Sequence, residues 1–158
     1  MSVEIKPINY DREYLDILAT ADLYACGREK YLLTTRDLLL GIIAQENMAT
    51  RVIQRAQYGF LNYKGVLTLE SERYSDQYEP FNKNALMTEP VHQAIEKAKL
   101  ITCTRSRNLE KAVINLGAID LLLGIYLEEN SVASKVLRRC GLKKDRLMRA
   151  CDDLIFGN

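Results

Sequence analysis

The sequence predicts an all-α protein that contains two copies of one helical unit. The first observation is a repeated hexapeptide, because Asp37–Ile42 and Asp120–Ile125 are both Asp-Leu-Leu-Leu-Gly-Ile. The similarity continues past these six residues: Glu46-Asn47 matches Glu129-Asn130 at the same spacing. Apolar residues also recur three and four positions apart along most of the chain, which is typical of amphipathic helices. A duplication within one chain accounts for these observations together.

The composition is that of a globular domain of ordinary size. The chain has 158 residues, of which 47% are hydrophobic and 27% charged, and its net charge of +1 comes from 22 basic and 21 acidic residues. This balance provides no strong field to attract nucleic acid or an anionic membrane. No apolar run approaches the roughly 18 residues of a membrane span. The first nine residues are mixed and polar rather than signal-like, so a cytoplasmic location is expected.

The first unit is predicted over residues 10–60, with helices at about 11–26, 35–45 and 48–58. Each helix follows residues that can cap it: Asn9 or Asp11, Thr34 or Thr35, and Asn47. Asp37 falls in the first turn of its helix, where a carboxylate is favoured by the helix dipole. Glycine inside a helix costs about 1 kcal/mol relative to alanine. Gly41 and Gly124, one in each hexapeptide, therefore indicate close approach between helices.

Residues 61–88 differ in character and are predicted to form a connector between the units. Gly65 to Thr68 could form a short strand, whereas residues 71–84 are polar and include Tyr74, Tyr78 and Phe81. These aromatic side chains either bind a partner or pack back on the domain.

The second unit is predicted over residues 89–156, and Thr88 is a candidate cap for its first helix. The apolar stripes of its first and last helices are Val91, Ile95, Ala98 and Thr102, and Leu147, Ala150, Cys151 and Leu154. Ser131 can cap the helix between the hexapeptide and the last helix. Residues 104–116 contain Arg105, Arg107 and Lys111, either as a solvated loop and helix face or as an anion-binding patch.

These features resemble the double-repeat N-terminal domain of the Clp-type AAA+ protein unfoldases. Residues 17–43 follow the first repeat of that family without a gap, and residues 132–142 follow its third-helix pattern. The resemblance implies two pseudo-symmetric four-helix repeats packed as a single domain over residues 1–158. It also implies a binding module that takes protein substrates or adaptor segments and works with AAA+ modules on the same or another chain, and that is monomeric in isolation.

The sequence departs from the family pattern at several positions. A histidine of the family is aspartate in both copies, at Asp37 and Asp120. The glutamates that dock phosphoarginine in some members correspond to Arg36 and Ile119, neither of which can pair with a guanidinium. Phosphoarginine binding is therefore not expected. The longer connector and an insertion in the second repeat resemble divergent members, including the unfoldase of type VI secretion, whose domain binds a short sheath helix in an apolar groove.

The sequence gives little reason to expect catalysis, a cofactor or a metal. It contains no Gly-x-x-x-x-Gly-Lys-Ser/Thr loop, so ATP hydrolysis is not expected of this chain. His92 is its only histidine, and the four cysteines lack zinc-type spacing, which indicates free thiols. The least favoured alternative is a small enzyme. Its reactive group would be a pair formed by Asp37 and Asp120, or a free cysteine.

The favoured hypothesis is a module that accepts a partner helix in an apolar groove. Tyr10 and Tyr14 lie one turn apart and are the candidate contact residues, since tyrosine gives a large contact area at low entropic cost. The alternative for both is packing on their own domain. A stand-alone adaptor with the same fold and no attached motor would have the same sequence features.

Overall fold

The computed structural model describes residues 7–56, 63–75, 78–108 and 113–157. Within these ranges the chain forms two short strands, β1 (Ile8–Tyr10) and β2 (Ile114–Leu116), and eight helices: α1 (Arg12–Cys26), α2 (Thr35–Ile43), α3 (Met48–Ala56), α4 (Tyr63–Ser71), α5 (Glu89–Asn108), α6 (Ala118–Leu127), α7 (Val132–Arg139) and α8 (Lys144–Phe156). Helices α1–α4 and α5–α8 form two four-helix repeats. The predicted fold class is confirmed.

The aspartate of each hexapeptide organises the start of its helix. The backbone N–H of Thr34 donates to Asp37 Oδ2 at 2.9 Å, and the Thr34 hydroxyl accepts from the Asp37 N–H. In the second repeat, the backbone N–H of Gly117 donates to Asp120 Oδ2 at 3.0 Å. Both carboxylates therefore satisfy an N–H group that the helix itself cannot pair.

The glycine of each hexapeptide marks a tight helix crossing. A methyl group built on Gly41 would lie 2.7 Å from the Ile17 carbonyl oxygen on α1. One built on Gly124 would lie 2.2 Å from the Ala94 carbonyl oxygen on α5. Both distances are shorter than van der Waals contact, so the predicted close approach is confirmed in both repeats.

The fourth helix of each repeat packs on the third helix of the other repeat. Helix α8 lies against α3, and α4 lies against α7. The second helix of each repeat also contacts the third helix of the other, as α2 with α7 and α3 with α6. One core cluster consequently includes buried residues from both repeats.

Two local expectations differ from the structure. Residues 65–68, a possible strand by sequence, lie inside α4, because Tyr63 and Leu67 are one turn apart and both become buried. Strand β2, which was not anticipated within residues 104–116, pairs in parallel with β1. Asp11 immediately precedes α1, although its side chain makes no capping hydrogen bond. The expected end of α3 at Tyr58 lies outside the described residues, and the repeat boundaries near 60 and 89 stay predictions.

The connector holds a buried carboxylate that joins both repeats. Glu79 is 2% exposed and accepts hydrogen bonds from the Thr35 N–H at 2.9 Å, the Thr88 hydroxyl at 2.8 Å and the Val132 N–H at 2.7 Å. The Thr35 hydroxyl also donates to it and accepts from the Ala133 N–H. These donors lie at the starts of α2, α5 and α7, where the helix dipoles favour a negative charge.

We expect Gly124→Ala to lower the free energy of unfolding by about 1–3 kcal/mol, because the added methyl group has no room against the α5 backbone. Gly27→Ala is the matched control. Its added methyl group would meet only ordinary contacts of 3.5 and 3.7 Å, and its φ of −72° suits alanine. Urea denaturation measures both variants, and equal stability of the two would contradict the crossing as described.

We expect Glu79→Gln to lower the free energy of unfolding by about 2–4 kcal/mol, because the amide NH₂ would face donors and the charge-assisted bonds would be lost. The control is Glu46→Gln, whose side chain is exposed. Thermal and urea unfolding of both variants tests this. An effect of Glu79→Gln no larger than that of Glu46→Gln would show that the buried carboxylate is not a structural tie.

Candidate functional site

The second repeat contains an open apolar groove. It lies between α5, α6 and α8, has a volume of about 570 Å³, and is lined by Leu100, Ile101, Thr104, Arg105, Leu123, Met148, Cys151, Asp152, Ile155 and Phe156. Leu100 is 68% exposed, and Phe156 and Met148 are also exposed at its margin. Apolar side chains that remain in water around a concave surface are characteristic of a binding site.

Apart from Cys151, the residues of α5 and α8 that line the groove lie off the main apolar stripes of these helices. Leu147, Ala150 and Cys151 of the predicted α8 stripe are buried, whereas Met148 and Phe156 project beyond it. One feature of the sequence does indicate an additional apolar surface on α8. Its apolar residues continue through residues 154–156, so its apolar face is wider than one narrow stripe. No pattern in the sequence indicates that α5 and α6 leave this face uncovered.

The first repeat has a cavity in the corresponding place, with different chemistry. It lies between α1, α2 and α4, has a volume of about 330 Å³, and is lined by Tyr24, Arg36, Leu40, Ile43, Ala44, Lys64, Thr68, Ser71 and Glu72. Leu40 and Leu123 hold the same position in the two hexapeptides, and each lines the cavity of its own repeat. The first cavity is therefore lined in part by charged side chains, those of Arg36, Lys64 and Glu72, whereas the lining of the groove in the second repeat is mainly apolar.

Arg36 and Ile119 occupy the two positions that correspond to phosphoarginine-docking glutamates. They do not form a pair of acceptors for a guanidinium group. Arg36 lies in the first cavity, where its guanidinium donates to the Tyr74 carbonyl oxygen, and Ile119 is buried. Neither group is an acceptor for a guanidinium. That phosphoarginine is not bound stays a prediction.

The two hexapeptide aspartates are buried ion-pair partners. Arg28 contacts both oxygens of Asp37 at 2.5 and 2.8 Å, and Arg105 reaches both oxygens of Asp120 at 2.7 and 2.9 Å. Each carboxylate is at most 1% exposed. An acid/base pair must reach its substrate, whereas these groups are enclosed by their own arginine and helix start. The arginine partners were not foreseen, because the sequence gives no spacing rule for such a pair.

Burial makes two of the cysteines, Cys140 and Cys151, poor nucleophiles. Cys151 borders the apolar groove but is buried, and burial, followed by the charge of Asp152, raises the pKa of its thiol to about 12. Burial also raises the pKa of Cys140. Since the thiolate is the nucleophile, Cys151 is unreactive near neutral pH.

The predicted contact residues Tyr10 and Tyr14 differ in accessibility. Tyr10 is 41% exposed, whereas Tyr14 is 2% exposed, and their rings stack with centroids 5.5 Å apart. Burial, together with the neighbouring Tyr10, raises the pKa of Tyr14 to about 12. Only Tyr10 presents a surface to a partner without rearrangement, and a binding role for either residue stays a prediction.

The remaining candidates fall into exposed or undescribed parts of the chain. His92 is exposed in the first turn of α5. Of the basic group proposed in 104–116, Arg105 pairs with Asp120, while the side chain of Arg107 and all of Lys111 lie outside the described residues. Within the described ranges, no three His, Cys, Asp or Glu side chains cluster as metal ligands would, and no helix is long and apolar enough to cross a membrane.

The fold is that of a double four-helix repeat, and it has a solved counterpart. The chain is similar to the N-terminal domain of the caseinolytic protease associated chaperone ClpD from Arabidopsis thaliana, with a TM-score of 0.60 and 18% sequence identity, over 89% of this chain and 90% of that one. At this identity the likeness establishes the fold. No family model and no curated protein matches the sequence.

We expect the stability of the wild-type protein to fall as pH rises from about 10 to 12, partly through Tyr14. Its folded pKa lies above the unfolded value of 10.0. The contribution is therefore complete below pH 10 and is lost above it, by up to about 2 kcal/mol.

Tyr14→Phe removes this contribution, so its loss of stability between pH 9 and 12 should be smaller than that of the wild type. The stability of the variant should still fall partly with pH, because Tyr31 remains. Burial and the hydrogen bond to Asp22 also raise the pKa of Tyr31 to about 12. Urea titrations across this pH range measure the difference, with the same variant at pH 7 as its control. Parallel pH profiles would contradict the assignment.

Proposed function

We propose that the protein is a non-catalytic recognition module that binds an amphipathic helix of a protein substrate or adaptor and delivers it to a Clp-type AAA+ unfoldase. The observation that carries this proposal is the apolar groove between α5, α6 and α8. The resemblance of both repeats to the unfoldase N-terminal domains, together with the shared fold, supplies the class of partner.

The form of the groove favours a helix over a small molecule or an extended strand. Three helices bound it, and Leu100, Met148 and Phe156 provide separate apolar contacts along its margin. A partner helix offers apolar anchors at i, i+3 or i+4, and i+7, which bind such a surface by burial alone. Asp152 is the exposed acidic group of the lining, so a basic residue beside the anchors would complement it.

We assign the chain, as part of the same proposal, to the divergent type VI secretion branch and to the cytoplasm. The support for the branch is the long connector and the insertion in the second repeat, and the support for the location is the resemblance to the Clp-type unfoldases. Tyr10 remains a candidate for a secondary contact, since its ring is partly exposed.

The binding test compares two leucines of equal exposure. Leu100 in the groove is 68% exposed, and Leu69 on α4, outside it, is 67% exposed. We expect Leu100→Asp to weaken binding of a labelled amphipathic helical peptide by at least about tenfold, which corresponds to about 1.4 kcal/mol. Leu69→Asp should bind like the wild type.

Fluorescence anisotropy is the measurement, with a panel of peptides carrying leucine anchors and basic flanks. The same peptides with serine in place of the anchors are the second control. Tyr10→Ala, titrated in parallel, measures the secondary contact. If no anchored peptide binds the wild type better than its serine counterpart, or if the two leucine variants bind equally, the groove is not the binding site.

A further inference from the structure

Met148 places an accessible sulfur atom on the wall of the apolar groove between α5, α6 and α8. Its side chain lines the groove and is 37% exposed. The lining also contains the thiol of Cys151, which is only 2% exposed. A reduced thioether is apolar and polarisable, so Met148 contributes to an apolar binding surface much as leucine does. Its exposure also leaves the sulfur open to a small oxidant dissolved in water.

The other methionines of the described ranges are less accessible than Met148. Met48 and Met87 are half-buried and pack against the core, whereas Met148 does not belong to that cluster. The sulfur of Met48 also accepts a hydrogen bond from the Arg51 guanidinium at 3.5 Å. Oxidation requires the oxidant to reach a sulfur lone pair, so Met148 should react before the other two.

The cysteine of the groove is protected from the same reagent. The thiolate is the form that reacts, and burial, followed by the charge of Asp152, raises the pKa of the Cys151 thiol to about 12. This thiol is therefore protonated near neutral pH. Cys26 is exposed, but it lies on α1 and outside the groove. Of the two sulfur-containing residues in the lining, Met148 is consequently the one that a peroxide can oxidise.

Hydrogen peroxide converts a thioether to a sulfoxide without any further reactant. The sulfur donates an electron pair to one peroxide oxygen, and the O–O bond breaks. The departing oxygen takes the proton of the transferred oxygen and leaves as water, so the sulfur is oxidised and the peroxide is reduced. The product carries a polar S–O group where the apolar sulfur stood, and methionine sulfoxide reductases reverse the change.

A sulfoxide at this position opposes the docking of an apolar helix. Its oxygen is hydrated in the free protein, and an apolar partner would remove that water without supplying a donor, which costs binding free energy. Donors of the lining are already engaged. The Thr104 hydroxyl donates to the Leu100 carbonyl oxygen. The Arg105 guanidinium is paired with Asp120.

We propose that Met148 is a redox-sensitive element of the groove: its oxidation by hydrogen peroxide weakens the binding of an apolar partner helix, and its reduction restores that binding. This inference rests on the proposed helix-binding function, because it concerns the regulation of the same groove. The linkage also acts in the opposite direction, since a bound helix covers the Met148 sulfur. Occupancy of the groove therefore slows the oxidation of Met148.

The first experiment follows the oxidation of each methionine by mass spectrometry during limited treatment with hydrogen peroxide. We expect the sulfoxide to form at Met148 before Met48 and Met87. A peptide with leucine anchors should slow the reaction at Met148, whereas its serine counterpart should give no protection. Equal rates at the three methionines, or equal rates with the two peptides, would overturn the proposal.

The second experiment measures peptide binding by fluorescence anisotropy before and after peroxide treatment. We expect oxidation to weaken binding of the anchored peptide to the wild type by about fivefold or more, because the sulfoxide oxygen loses its hydration in the complex. Incubation with methionine sulfoxide reductase should restore the original affinity.

Met148→Leu is the matched variant, because it keeps the volume and apolar character of the side chain and cannot form a sulfoxide. It also retains all four cysteines, so an effect of peroxide on a thiol would persist in it. We expect it to bind like the reduced wild type both before and after treatment. A loss of affinity in Met148→Leu equal to that of the wild type would place the effect at another residue and overturn the proposal.

The reduced wild type separates this inference from the proposed function. If it prefers the anchored peptide to the serine peptide and oxidation leaves that affinity unchanged, the helix-binding function stands and the redox inference is wrong. If the reduced protein binds the two peptides equally, the helix-binding function fails, and its regulation fails with it.

Discussion

The Glu79 carboxylate is the contact on which the arrangement of the two repeats depends. Its oxygens accept hydrogen bonds from groups at the starts of three helices, α2 in the first repeat and α5 and α7 in the second. Each helix start carries a partial positive charge and N–H groups that its own helix cannot satisfy. One buried anion from the connector meets these requirements together. The connector therefore acts as a structural part of the core, because its carboxylate joins helix starts of both repeats.

The sequence predicted most of the fold because the informative residues act locally or occur twice. Asp37 and Gly41 have roles that depend on position within one helix. Because both recur in the second repeat, their structural roles can be predicted with less ambiguity than from one copy. Glu79 could not be recognised in this way, because its partners lie far from it along the chain. Local composition allows a short strand over residues 65–68. Burial of Leu67 in the folded domain decides in favour of a helix, as tertiary packing commonly overrides weak local preference.

The candidate site was less accessible to sequence reasoning than the fold. A stripe of apolar residues shows which side of a helix is buried, but it does not show which neighbouring helix fails to cover the remainder. Leu100 and Met148 are exposed for that reason. The reverse applies to Tyr14, which is an attractive contact residue by type and yet is enclosed by its own domain. The two repeats also show that a shared backbone can carry unlike surfaces, since equivalent leucines border one charged and one apolar cavity.

The reciprocal packing of α4 on α7 and α8 on α3 has a consequence for the origin of the domain. It is the arrangement of an isologous dimer in which each subunit lends its last helix to the other. A single ancestral repeat with this packing would have been complete only as a pair of identical chains. Fusion of two such copies would make the pairing permanent and would allow the two halves to differ in sequence. That freedom is what allows one side of the molecule to be apolar and the other charged.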